Sequence, residues 1–160
     1  MRKYFSTIIA AVLTLSAAAA IGAEPSPLAE GKALFEGKCV TCHALERSLA
    51  VQADRAGWES KIKRMVANGA KIDAAQSGQI VGYLTAKSAF ETKCNTCHDL
   101  QKPLASIKDA VQWKATVQRM AAMKAGHLAD ADAGAITLYL SLVTPVKPAA
   151  PAAPSAPGYK

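Results

Sequence analysis

Apolar side chains recur at helical spacing along most of the chain. Over residues 58–67, Trp58, Ile62 and Met65 share one face, and charged side chains occupy the opposite face. Separations of three and four residues place side chains on the same side of an α-helix. The alternation of period two that indicates strands is not found in the sequence. The pattern therefore predicts an all-α fold.

Capping residues and breakers predict where the helices begin and end. A first helix is predicted over residues 28–38, and the middle helix is expected to stop at Asn68-Gly69. Asp73 and Gln76 form a capping-box pattern that should begin a third helix. Between residues 82 and 94 the sequence has no proline, glycine or other turn signal. We therefore expect the third helix to continue, unbroken, into the element that follows it.

The chain contains a tandem repeat. A shift of 55 residues superimposes Phe35 on Phe90, Trp58 on Trp113 and Met65 on Met120, and a shift of 56 then superimposes Tyr83-Leu84 on Tyr139-Leu140. Repeats of this kind indicate duplicated structural units. We predict two three-helix units, residues 24–87 and 88–143, that share the continuous helix. A unit of about 55 residues has little apolar core of its own, so a bound cofactor is expected to complete each one.

The motif Cys-x-x-Cys-His occurs once in each unit, at residues 39–43 and 94–98. It is the signature of covalent c-type haem attachment, in which both thiols bond the haem vinyl groups and the histidine binds iron. Cys-x-x-Cys pairs also occur in redox dithiols and in zinc sites. Here a histidine directly follows the second cysteine in both copies, which favours haem. We predict two haem c groups, with these covalent and proximal residues: Cys39, Cys42, His43, Cys94, Cys97 and His98.

The second iron ligand in each unit is predicted from a short inventory. Outside the motifs His127 is the only histidine, so two bis-histidine haems cannot form within one chain. Met65 and its repeat partner Met120 each lie 22 residues after a motif histidine. A methionine on an apolar helix face also serves as core packing, but the duplicated spacing makes Met65 and Met120 the predicted ligands. Met123 and His127 are the rivals at the second iron.

Two further residue pairs are candidates for haem contacts. Trp58 and Trp113 are predicted either to donate an indole N–H to a haem propionate or to wall the pocket. Arg64 and Arg119 are predicted either to pair with propionates or to face water.

The two chain ends have compositions unlike the rest. Arg2 and Lys3 precede an apolar run that ends at Gly22-Ala23, so residues 1–23 are predicted to be a secretory signal peptide cleaved after Ala23. This run is too short for a comfortable membrane span. At the other end, residues 144–160 carry a proline at every third position from Pro145 onward and are predicted to be a disordered tail.

The charge argues against one class of partner. The formal charge of +7 becomes +5 when Arg2 and Lys3 leave with the signal peptide, and haem propionates lower it further. The lysines are scattered along the sequence, as on a solvated surface, and do not form the dense basic face that nucleic acid would require.

Taken together, these features resemble the class I c-type cytochromes, as a tandem dihaem member. The matching features are Gly31 and Phe35 on the first helix, each Cys-x-x-Cys-His motif, and the pairs Tyr83-Leu84 and Tyr139-Leu140. The run Trp-x-x-x-[Ile/Val]-x-Arg-Met, at 58–65 and 113–120, is similar to that of a compact subgroup. The resemblance implies that the first and last helices of each unit cross near the matching residues. In ordinary members the ligand methionine lies in a later loop, whereas here the helix is expected to continue past it.

The leading functional hypothesis is a periplasmic electron carrier that is not an enzyme. Two six-coordinate haems leave no open iron position, and no carboxylate cluster stands beside either motif. The expected partners are a redox donor and a redox acceptor, met in transient complexes by a monomer. One alternative is a haem enzyme or a gas- or peroxide-responsive protein with one labile methionine. Another is an electron-transfer subunit of a larger dehydrogenase.

Overall fold

The computed structural model describes residues 26–146, and within this range the regular structure is helical and contains no strands. The prediction of an all-α fold is therefore confirmed. The predicted signal peptide lies outside the described residues, as does the predicted tail from residue 147 onward. The helices are α1 (Pro27–Lys38), α2 (Leu45–Leu49), α3 (Arg55–Ala67), α4 (Ala74–Cys94), α5 (Gln101–Leu104), α6 (Ala110–Met123) and α7 (Asp130–Val143), and a 3₁₀ turn (Cys39–Thr41) follows α1.

Side-chain caps set the helix starts. Helix α3 begins earlier than the apolar pattern indicates, because the Asp54 carboxylate accepts the backbone N–H of Gly57 at 2.8 Å. At α4 the predicted capping box is confirmed: Asp73 accepts the N–H of Gln76 at 2.8 Å, and the Gln76 side chain accepts the N–H of Asp73 at 3.3 Å. The predicted stop of α3 is also confirmed, since Asn68 is its C-cap and Gly69 has a φ of +101°. The short helices α2 and α5 were not predicted.

Helix α4 is the central element of the fold. It runs unbroken for 21 residues, from Ala74 to Cys94, so the predicted continuous helix is confirmed. It packs against α1, α3 and α7, and α7 packs in turn against α6. Of its side chains, Ile80, Val81, Tyr83, Leu84, Ala86 and Phe90 are buried hydrophobic ones. The helix therefore contributes to both halves of the repeat, and the buried side chains of the two halves form a single hydrophobic core.

The crossing of α1 and α4 requires a glycine. Gly31 is buried on α1, and a Cβ built on it would lie 2.1 Å from the carbonyl oxygen of Gln79 on α4. Any larger side chain at this position would push the two helices apart. This close approach brings Phe35 of α1 against Tyr83 of α4, with ring centroids 5.9 Å apart.

Two residues that directly follow the predicted unit boundaries bond to the half that precedes them. Ser88, predicted to open the second unit, accepts the indole N–H of Trp58 in the first half at 2.9 Å. Thr144, predicted to open the disordered tail, is only 5% exposed. It accepts the indole N–H of Trp113 at 2.9 Å and donates to the carbonyl of Leu140 at 2.6 Å. In both halves, the hydroxyl just after the predicted boundary therefore satisfies the indole N–H of a buried tryptophan.

Within the described residues, no helix is both long enough and apolar enough to cross a membrane.

Candidate functional site

Each Cys-x-x-Cys-His motif lies where a helix ends and the chain turns. Cys39 opens the 3₁₀ turn after α1, and Cys94 is the last residue of α4. The threonine within each motif stabilises the turn, because Thr41 and Thr96 donate their hydroxyls to the carbonyls of Lys38 and Lys93, both at 2.7 Å. The two motifs thus have the same local hydrogen bonding, which the sequence analysis did not anticipate.

The four cysteines are free thiols in unequal surroundings. Cys39 and Cys94 are half-buried, whereas Cys42 and Cys97 are exposed. Burial, followed by the neighbouring Cys42, raises the pKa of the Cys39 thiol, and burial followed by Cys97 raises that of Cys94. A reactive redox dithiol has a lowered thiol pKa. The pKa of the half-buried thiol in each motif is thus shifted in the opposite direction from that of such a reactive thiol.

The motif histidines are oriented by their own backbone. Nδ1 of His43 lies 3.2 Å from the carbonyl oxygen of Ala44, and Nδ1 of His98 lies 2.9 Å from that of Asp99. Because a carbonyl oxygen can only accept, Nδ1 is the donor in each contact. Metal-bound histidines in proteins are oriented in this way by a second hydrogen bond. In both rings Nε2 is thus the nitrogen that could hold a metal.

Two adjoining clefts in the first half share the predicted site residues. Their volumes are about 420 and 410 Å³. Both are lined by Cys39, Cys42, His43, Ile62 and Met65. The remaining apolar walls come from Phe35, Val51, Trp58, Ile72 and Leu84. The fold therefore brings Met65 of α3 to the same apolar space as the motif histidine.

The second half has an equivalent cavity of about 250 Å³. It is lined by Cys94, His98 and Met120, and its apolar walls are Phe90, Pro103, Trp113, Val117, Leu128 and Leu140. Most of these wall residues are the repeat partners of wall residues in the first half. The sequence analysis placed Leu140 at a helix crossing but did not assign Ile72, Leu128 or Pro103 to a cavity. The shift of 56 residues, which pairs Ile72 with Leu128, is the signal that could have found those two.

The second cavity separates Met120 from its two predicted rivals. Met123 does not line it and is 76% exposed. Nε2 of His127 lies 2.9 Å from the carbonyl oxygen of Lys93 and 3.1 Å from the hydroxyl of Thr96. His127 is half-buried rather than an exposed loop residue, and its ring nitrogen is occupied by the backbone next to the motif. Met120 is thus the sulfur that shares a cavity with His98.

The two tryptophans wall their cavities, and their polar groups are used elsewhere. Trp58 and Trp113 are both buried and both line a cavity. Their indole N–H groups are donated to Ser88 and Thr144 rather than toward the open space. Both indole N–H groups are therefore already used within the protein, and the rings lie in the cavity walls.

The charged side chains that line these cavities are basic. Arg64 and Arg119, at equivalent positions, are exposed and border the first and second cavities. They are joined by Lys38, Lys71, Arg47 and Lys61 in the first half, and by Lys102 and Lys108 in the second. The ammonium of Lys108 also lies 4.5 Å from the centre of the Trp113 ring. The rims therefore favour an anionic group at the edge of an apolar ligand.

One lysine does not belong to the solvated surface that the sequence suggested. Lys87 on α4 is 7% exposed. Its ammonium donates to the carbonyl of Leu49 at 2.7 Å and to the carboxylate of Glu91 at 2.6 Å. It therefore ties the end of α2 to α4, beside the first cavity.

No three His, Cys, Asp or Glu side chains of residues 26–146 are grouped so that they could hold a metal ion by themselves. In comparisons with known proteins, no family model, no curated protein and no solved structure matches the chain.

Proposed function

We propose that the chain is a tandem dihaem c-type cytochrome that carries electrons between redox proteins. The observation that carries this proposal is the repeated composition of the two cavities. In each half, a histidine whose Nδ1 contacts a backbone carbonyl, a methionine and a motif cysteine line the same apolar space. Chance would not place this donor set twice at equivalent positions.

The donor set fits a c-type haem in three respects. The paired cysteines offer two thiols for thioether bonds, and the oriented histidine offers a nitrogen for iron. Met65 and Met120 offer a soft thioether sulfur, which favours the reduced metal and raises the reduction potential. The apolar walls suit the porphyrin faces, and the basic rims suit the two propionates. When bound, each haem would supply a one-electron iron couple.

The protein side chains would exclude water from each site and attract the redox partners. The buried tryptophan and the aliphatic walls exclude water, which keeps the dielectric constant around each site low. The basic rim residues attract an acidic surface on a redox partner and steer brief encounters. Within this proposal the chain acts as a monomeric carrier rather than an enzyme. It receives electrons from one protein and delivers them to another.

The proposed place of action is the periplasm. The apolar N-terminal run with small residues at its end is typical of an exported chain, and covalent haem attachment is expected after export.

One observation favours a second candidate function at the second site. Met120 is 38% exposed and His98 is exposed, whereas Met65 and His43 are half-buried. A more exposed sulfur is more easily displaced, so the second site is the better candidate for binding a small gas or peroxide. Exposing the reduced protein to carbon monoxide tests this alternative: a rapid shift of the Soret band at neutral pH would favour it over pure electron transfer.

Mass spectrometry of the exported protein tests the main proposal. The expected mass is that of the mature polypeptide plus two covalently bound haems. Cys39→Ser/Cys42→Ser and Cys94→Ser/Cys97→Ser should each retain one. A mass showing fewer than two haems on the unsubstituted protein would contradict the proposal.

A further inference from the structure

A line of four packed aromatic rings runs from one cavity to the other. Phe35 lines the first cavity and Phe90 lines the second. Ring centroids are 5.9 Å apart for Phe35 and Tyr83, 6.0 Å for Tyr83 and Tyr139, and 5.4 Å for Tyr139 and Phe90. These separations lie within the range of about 4.5–7 Å found for interacting aromatic pairs. We call these four residues the four-ring array.

The array is protected from water along its whole length. Phe35 and Phe90 are each 1% exposed, Tyr83 is 4% exposed and Tyr139 is 7% exposed. The rings come from α1, α4 and α7, which pack together in the centre of the fold. The line therefore crosses the protein through its core and not along its surface.

The contact between the two tyrosines goes beyond what the duplication requires. Each phenylalanine packs on the tyrosine of its own half, and these two contacts are repeat equivalents. The contact between Tyr83 and Tyr139 joins one half to the other. Without it, each half would keep its own aromatic pair and the line would be interrupted.

From this arrangement we infer that the four-ring array is the route by which an electron passes between the two sites, an inference that rests on the proposed function. The step is a one-electron exchange in which one site is oxidised as the other is reduced. No covalent bond forms or breaks, no proton moves, and the rings keep their oxidation state.

The surroundings of the tyrosines agree with a passive role. Burial, followed by Glu36 and Glu91, raises the pKa of Tyr83 to about 12. Burial, followed by Tyr83 and Glu91, raises the pKa of Tyr139 further above its ordinary value. Both hydroxyls therefore stay protonated at neutral pH, and no charge develops within the route. Tyr83 and Tyr139 are positioning residues, since it is Phe35 and Phe90 that line the sites.

The test compares variants of the full-length protein carrying both haems and on average one electron per molecule. Nuclear magnetic resonance signals of the haem methyl groups merge when the electron moves rapidly between the sites, and they separate when it moves slowly. We expect merged signals for the unsubstituted protein and for Tyr139→Phe, which keeps the ring. Tyr139→Leu, which removes it, should give separate signals for the one-electron forms.

A control variant, a second variant and the spectra of each protein separate slower electron exchange from simple structural damage. Ile136→Val is the matched control, because Ile136 is fully buried on the same helix but belongs neither to the array nor to a cavity wall. It should leave the signals merged. If Tyr139→Leu fails to fold, Tyr83→Leu interrupts the array at the neighbouring ring, which, like Tyr139, lines neither cavity. In any folded variant, the absorption spectrum and both reduction potentials should stay close to those of the unsubstituted protein.

The outcomes are distinct. Merged signals in a folded Tyr139→Leu or Tyr83→Leu protein with both haems would overturn the inference and point to direct exchange between cofactor edges, while leaving the proposed function intact. Absence of covalently bound haem would overturn the proposed function itself.

Discussion

The indole N–H of Trp113 donates to the hydroxyl of Thr144 across 2.9 Å, and both side chains are buried. The same bond recurs in the other half of the repeat between Trp58 and Ser88, also at 2.9 Å. A tryptophan inside a small core needs an acceptor for its one polar atom. The acceptor comes from within α4 in the first half and from the C-cap of α7 in the second, so each tryptophan wall is hydrogen-bonded to a neighbouring helix.

Replacing Thr144 by valine tests this bond. Thr144→Val keeps the shape but leaves the Trp113 N–H buried without an acceptor, which should lower the free energy of unfolding by about 1–3 kcal/mol. Urea denaturation of the holoprotein measures this change in the free energy of unfolding. Thr144→Ser, which retains the hydroxyl, should be much closer to the unsubstituted protein. Equal stabilities for the valine and serine variants would show that the bond contributes little.

Gly31→Ala tests the close crossing of α1 and α4. Its Cβ would meet the Gln79 carbonyl at 2.1 Å, so the helices must separate, and we expect a loss of about 1–3 kcal/mol or more. Gly78→Ala is the control on α4, because a Cβ there meets nothing within 4 Å. That variant should gain roughly 0.5–1 kcal/mol from its better helix propensity. Thermal unfolding of both variants measures these two changes in stability. A stable Gly31→Ala protein would contradict the crossing.

Single alanine substitutions test the two sulfur ligands of the proposed function. Met65→Ala and Met120→Ala should each remove part of the near-infrared sulfur-to-iron charge-transfer absorption of the oxidised protein. Each should also lower one reduction potential, because a thioether favours reduced iron. Met123→Ala should change neither, since Met123 is exposed away from the cavity. If the absorption survives in Met120→Ala and is lost in Met123→Ala, the assignment at the second site is wrong.

The raised pKa of Tyr83 predicts a loss of stability at alkaline pH. The ordinary value is 10.0, and the folded value is about 12. Above pH 10.0 the unfolded chain releases the tyrosine proton first, so the free energy of unfolding falls as the pH rises between these values. Below pH 10.0 the contribution of Tyr83 is fully present.

Urea titrations across the alkaline range measure this dependence, with near-ultraviolet absorbance reporting tyrosinate. Tyr83→Phe should flatten the fall, although Tyr139, whose pKa is also raised by burial, should keep part of it. An unchanged slope in the phenylalanine variant would indicate that Tyr83 titrates normally in the folded protein.

Local signals allowed most helices to be predicted from the sequence. The caps at Asp73 and Gln76, the stop at Gly69 and the uninterrupted run into Cys94 depend on neighbouring residues, and sequence shows neighbours directly. Helices α2 and α5, of five and four residues, have too few positions to display a period. They could not be recognised by apolar spacing.

The residues that share a cavity were predicted from their chemistry and from the repeat. The hydrogen-bond partners of the cavity walls were not predicted. The spacing of His43 and Met65 is duplicated, so their pairing could be anticipated. The acceptor of an indole N–H depends on which helix packs behind it, and that is a tertiary relationship. For this reason the bonds of Ser88 and Thr144 to the tryptophans were not anticipated, and Lys87 was expected at the surface.

The unbroken course of α4 also constrains how the gene can vary. An α-helix turns by about 100° and advances about 1.5 Å for each residue. One residue inserted between Tyr83 and Phe90 would rotate Cys94 and everything after it by about 100° around the axis, away from the second cavity that Cys94 lines. Insertions and deletions should therefore be rejected along this stretch and tolerated in the loops, where no such rotation is transmitted.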